Sequence, residues 1–159
     1  MANLTGSAEI FHGNTTSVDS SQQVALGTRA RDVNSNEFIY LVGTASTTGG
    51  TWVTFNLQSS VTKILAANDV GPVAIAGTSI GAGQYGWYQI FGLNTIAKTD
   101  TVAALKPLFV DGTDGRADDA FVAVDRIVNA ISLAADTSNV APVFIQYPFV
   151  QGTSFNGVS

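Results

Sequence analysis

Glu37-Phe38-Ile39-Tyr40-Leu41-Val42-Gly43-Thr44 and, past Thr47-Thr48-Gly49-Gly50, Thr51-Trp52-Val53-Thr54-Phe55-Asn56-Leu57 are the two runs that decide the fold class. The first puts Phe38, Tyr40 and Val42 on one side and Ile39 and Leu41 on the other, as a central strand with apolar matter on both faces requires. The second alternates, with Val53, Phe55 and Leu57 inward and Thr54 and Asn56 outward. That parity puts Trp52 on the polar face, exposed or at a subunit contact. The glycine pair between the runs supplies positive φ for a tight reversal. Upstream, Val24, Leu26, Thr28 and Ala30 alternate with Ala25, Gly27, Arg29 and Arg31. Asp32-Val33-Asn34-Ser35-Asn36 then offers the turn chemistry of a hairpin loop. Val24 to Leu57 therefore reads as a three-strand meander.

The rhythm continues downstream. Val61 to Leu65, Pro72 to Ala76, Gln84 to Phe91, Leu108 to Val110 and Pro142 to Phe149 are short β-rich runs punctuated by glycine and polar clusters. Pro148 cannot donate to a ladder, so the last strand is expected to end there or to lie at an edge. Asp118 to Ala135 suits either a helix face or two short buried strands. Its β-branched Val122, Val124, Ile127, Val128 and Ile131 favour strands. The expected architecture is all-β, a compact antiparallel β-barrel-like or β-sandwich domain over 23–150. An extended polar N-terminal arm (1–22) precedes it and a loose C-terminal tail (151–159) follows.

Composition narrows the function. At 159 residues one domain is expected, large enough to bury a core without crosslinks. Cysteine is absent, which removes disulfides, thiolate metal sites and cysteine nucleophiles. A net charge of −5 with scattered cations gives no footprint for nucleic acid. Charged residues make up only 12%, while 13 Ser and 17 Thr dress the surface in hydroxyls. No apolar run approaches the ~18 residues of a membrane span, and the first 28 residues lack the basic and apolar regions of an export signal. Synthesis in the cytoplasm, with no membrane partner, is the expectation.

The apparent chemical motifs fail on their partners. Gly77-Thr78-Ser79-Ile80-Gly81 has the G-x-S-x-G form of a nucleophile elbow, but the only histidine, His12, precedes the serine instead of following it. Gly81-Ala82-Gly83-Gln84-Tyr85-Gly86 has the G-x-G-x-x-G form, but an aromatic strand follows where a phosphate-binding helix is needed. Asp111-Gly112-Thr113-Asp114-Gly115-Arg116-Ala117-Asp118-Asp119 gathers carboxylates without EF-hand spacing; it reads as turn chemistry partly neutralised by Arg116. No enzyme, cofactor, metal or small-molecule substrate is expected. The aromatic constellation is Trp52, Tyr85, Trp87, Tyr88, Tyr147 and Phe149, of which Trp52, Tyr85, Trp87 and Tyr88 are the candidate interface residues, with Ile10 and Phe11 as the apolar pair of the arm. Trp and Tyr concentrate energy at protein interfaces and also stack on sugars. Tyr85, Trp87, Gln89 and Phe91 share a face that serves either core or interface.

Several short motifs in order carry a likeness: Leu26-Gly27-Thr28-Arg29-Ala30-Arg31-Asp32, Glu37-Phe38-Ile39-Tyr40-Leu41, Trp52-Val53-Thr54-Phe55 and Gly71-Pro72-Val73-Ala74 in the first half. Gln84-Tyr85-Gly86-Trp87-Tyr88-Gln89-Ile90, Asp125-Arg126-Ile127-Val128 and Gln146-Tyr147-Pro148-Phe149-Val150 follow. Over roughly residues 24 to 150 the chain resembles the capsid decoration, or cement, proteins of tailed bacteriophages. The resemblance implies a virion structural protein on the outer capsid surface, bridging major capsid protein subunits, commonly as a homotrimer and without catalytic residues. The alternative is a head-fibre or adhesin-like module that binds host-surface glycans through Trp52 or Tyr88.

Overall fold

The computed structural model describes residues 14–152. The strands are β1 (Val18–Asp19), β2 (Arg29–Arg31), β3 (Glu37–Val42), β4 (Trp52–Phe55), β5 (Thr62–Ile64) and β6 (Gly71–Ala76). Then come β7 (Tyr85–Asn94), β8 (Pro107–Val110), β9 (Ala117–Asp118), β10 (Arg126–Ser132) and β11 (Val143–Val150). All ladders are antiparallel and join in one sheet, and no helix occurs among the described residues. The chain is a compact all-β domain.

The sheet folds into two lobes that share a wall. In the first, β3, β7, β6, β4 and β5 curl round Ile39, Leu41, Val53, Phe55, Ala74, Ala76, Tyr88 and Ile90. The curl is not a closed barrel. β5 returns to β3 only through an isolated Val42↔Val61 bridge, with Val42 N donating to Ser60 O (3.0 Å) and Thr62 Oγ1 to Val42 O (2.7 Å). In the second lobe, β6, β11, β10, β8 and β9 wrap Trp52, Leu65, Val73, Ile75, Leu108, Ile127, Val143 and Ile145. Trp52 N donates to Gly115 O (3.1 Å), tying the far end back to β4. Strand alternation makes the common wall possible: β4 and β6 send Val53, Phe55, Ala74 and Ala76 into one core and Trp52, Val73 and Ile75 into the other. Full burial of each large side chain there contributes about 1.5–3 kcal/mol. A third cluster, Phe38, Tyr40 and Trp87 with Leu26, Ala30 and Tyr85, covers the outside of β3 and β7.

Several expectations are corrected. β2 and β3 form the hairpin over Asp32–Asn36, with Asp32 Oδ1 accepting from Asn34 N (2.8 Å) and Asn36 N (2.9 Å). β4 does not extend this meander; it pairs with β5 and β6 and faces β3 across the first core. Trp52 is therefore fully buried, not on a polar face, because the outer side of β4 is the inner side of the second lobe. Leu57 lies past the end of β4 in the hairpin tip and is 70% exposed. Asp118 to Ala135 contains strand residues at its two described elements, β9 and β10, joined by a loop. The polar N-terminal stretch is not all free of the sheet, since Val18 and Asp19 pair with Gly86 and Tyr85.

β11 runs on past Pro148. It pairs with β7 from Val143 to Gln146, then with β6 at Phe149 and Val150, and the change of partner falls at Tyr147, whose φ is 49°. Pro148 sits in that transition, where neither neighbouring strand offers a register partner, so its missing N–H costs no ladder bond. Opposite it, the single residue Asn129 of β10, φ 62°, faces three of β11, Gln146, Tyr147 and Pro148, so the register shift puts the surplus on β11.

Candidate interaction surface

The outer face of the second lobe presents a row of apolar side chains across four strands. Leu93 on β7 lies opposite Phe144 on β11, Phe144 opposite Ile131 on β10, and Ile131 opposite Pro107 on β8. Directly opposed residues share a face, so the row is continuous. The intervening Val143, Ile145, Ala130 and Leu108 point into the core. Phe91 extends the row, edge-on to Phe144 (5.9 Å between centroids) and tilted against Tyr147 (5.5 Å).

A groove of about 480 Å³ opens beside this row. β10 carries Val128, Asn129 and Ala130 between Ile127 and Ile131, whereas β8 has nothing between their partners Leu108 and Pro107. The surplus backbone arches away and leaves a slot lined by Pro107, Val128, Ile131 and Phe144, with Arg126, Asn129 and Gln146 as its polar groups.

One rim of the face is a polar cluster. Tyr147 Oη donates to Glu37 Oε2 (2.7 Å), the Arg29 guanidinium lies 5.7 Å from the Tyr147 ring centroid, and Glu37 also faces Arg29 (3.6 Å) and Arg31 (3.4 Å). The hydrogen bond to Glu37, with burial, raises the Tyr147 phenol above its ordinary pKa. Both arginines are more than half exposed, so these ion pairs position side chains more than they stabilise the fold.

Of the aromatic residues singled out from the sequence, Tyr147 is at this rim, and the four candidate interface aromatics lie elsewhere. Trp52 and Tyr88 are sealed in the two cores, and Trp52 Nε1 donates to Lys98 O (2.9 Å). Burial pushes the Tyr88 phenol up to about 12. Neither ring is available for stacking on a sugar in this conformation. Trp87 is buried in the third cluster, and Tyr85 is half-buried, stacked on Tyr40 at 6.3 Å. Ile10, Phe11 and His12 lie outside the described residues. The residues missed were Leu93, Ile131 and Phe144. For Phe144 the signal was the apolar character of both parities in Val143 to Val150, which marks a strand with a greasy outer face.

The rejected motifs have packing roles. The Gly77 to Gly83 loop drives Ile80 into the first core, and Gly43 and Gly86 leave room for it: a Cβ on either would stand 2.5 Å from an Ile80 side-chain atom. Ser79 is exposed. In the acidic loop Arg116 donates to Thr99 O (3.2 Å), so it hydrogen-bonds backbone instead of the neighbouring carboxylates. Asp111 accepts from Thr113 N (3.1 Å) and Asp119 from Ala103 N (2.9 Å). Asp118 stays crowded; burial, then Asp111, Asp119 and Asp100, raise its pKa to about 6. Among the described residues no three carboxylates or imidazoles gather in a group that could hold a metal ion. No protein-family model, no curated protein and no solved structure matches this chain.

Proposed function

We propose that this chain is a bacteriophage virion structural protein. It binds the outside of the mature capsid as a homotrimer and stabilises the shell by bridging major capsid protein subunits. One observation carries the reading: an open sheet face with Leu93, Phe144, Ile131 and Pro107 in line across four strands, on a chain with few charges. A broad apolar face of this kind suits protein contact better than turnover of a small molecule. The ordered motifs resembling cement proteins supply the identity of the partner.

The mechanism is mass action. A protein that binds the expanded lattice and not the contracted one stabilises the former by its binding free energy. A standard interface buries about 1,200–2,000 Å², and a trimer touching several subunits gains further through effective concentration. Co-sedimentation with expanded and unexpanded heads tests this. Retention by expanded heads alone, reduced by Leu93→Asp, is the expected result; failure to pellet with either form overturns the reading.

A further inference from the structure

Phe121 is the most exposed large apolar side chain among the described residues, 79% accessible in the loop between β9 and β10. Asp118 and Asp119 precede it, and its ring leans edge-on against Phe109 with centroids 5.5 Å apart. Both ends of the loop are tied down. Asp118 is the register partner of Phe109, and Val110 N donates to Asp125 O (2.8 Å). The ring is held outward, framed by carboxylates.

The groove between β8 and β10 has the opposite character. Pro107, Val128, Ile131 and Phe144 give it apolar walls, and Arg126, Asn129 and Gln146 are its polar lining. Five of the seven cationic side chains are engaged: Arg29 and Arg31 with Glu37, Lys63 with Asp69, Lys98 with Thr48 and Arg116 with Thr99 O. The side chains of Arg126 and Lys106 are the two without a hydrogen bond or ion pair among the described residues. On a chain of net charge −5, one of these two unspent cations, Arg126, therefore lines the slot.

We propose that this groove is the socket for the Phe121 loop of a second copy of the chain. The ring enters between Pro107, Val128, Ile131 and Phe144, while Asp118 and Asp119 of the incoming copy approach Arg126. The loop cannot fill its own groove, because its anchored ends hold Phe121 against Phe109, and Phe109 is itself the register partner of Arg126. Every copy thus carries both halves of the contact, so copies can join head to tail and close in a ring, as the proposed homotrimer requires. The contact rests on the homotrimer of the proposed function, and because self-association is measured without any shell present, loss of the socket and loss of capsid binding are read separately.

Sedimentation equilibrium of the full chain from about 1 to 100 µM, the range of micromolar association, tests it. The wild type should exceed the monomer mass in the upper range. Phe121→Ser and Arg126→Glu, both at exposed positions, should each weaken association about 30-fold, the size of a hot-spot loss, with unchanged circular dichroism. An equimolar mixture of the two variants should recover a 1:1 complex, since one intact ring meets one intact socket. A wild-type mass of three copies lost through the same substitutions also supports the socket, with the copies in a ring. A monomeric wild type, variants that associate as it does, or a mixture that stays monomeric overturns the proposal.

Discussion

Trp52 touches both the packing and the polar accounts of this molecule. Its indole fills the second core and its Nε1–H satisfies the carbonyl of Lys98. Trp52→Ala should cost about 3–5 kcal/mol in urea unfolding, the range for deleting a large buried aromatic. Trp52→Phe, which keeps most of the volume, should cost clearly less. A Trp52→Ala loss below about 1 kcal/mol would contradict the burial. Asp118 is a second sensitive position. Its folded pKa of about 6 exceeds the ordinary 3.8, so the native state binds the proton more tightly than the unfolded chain. Its favourable contribution is complete below pH 4 and is lost as the pH rises through 6. Asp118→Asn should flatten that part of the stability profile and raise stability at pH 7 by roughly 1 kcal/mol, less than the full shift because solvent screens a partly exposed carboxylate. An unchanged pH profile would remove Asp118 from the account. The tryptophan was misplaced from sequence for a definable reason: parity says which residues share a side of a strand, but not whether the polar-looking side also meets a core.

Elements were legible wherever alternation and turn chemistry agreed. β3, β4, β6 and the Asp32–Asn36 loop stand where the sequence puts them, because Asp32 and the β-branched and aromatic runs act locally. Pairing was not legible. Whether β4 lies beside β3 or opposite it depends on β6 and β7, which follow it in the chain. The candidate face was hidden for the same reason, since the Leu93, Phe144, Ile131 and Pro107 row exists only once four distant strands are in register. Irregular backbone shapes its groove, and that makes Asn129 a test at this scale. At φ 62° a β-branched residue is strained, so Asn129→Val should cost about 1–2 kcal/mol, whereas Asn129→Gly should be nearly neutral. Amide exchange should show the valine variant loosening β10 against β11 first, near the register shift between Val128 and Ala130. Equal stabilities for the two variants would mean that the bulge is not held in that conformation.

For the whole molecule, β4 and β6 belong to two hydrophobic interiors at once. Urea unfolding should therefore give one midpoint by tryptophan fluorescence and by far-ultraviolet circular dichroism, as for a single cooperative unit. Two separated midpoints would show that the lobes melt independently. Composition bounded this level well: a cysteine-free chain with so few charges has to be held by packing. It could not disclose that the packing is divided between two chambers, because that division is a property of the curled sheet and not of any one segment.

A partition with a load on each side cannot be taken out for one tenant alone. Splitting this polypeptide at a surface turn leaves each fragment with a greasy panel and nothing to lean on, so neither piece should survive by itself. Tugging on either terminus strains both compartments together, and the molecule yields in one event or not at all.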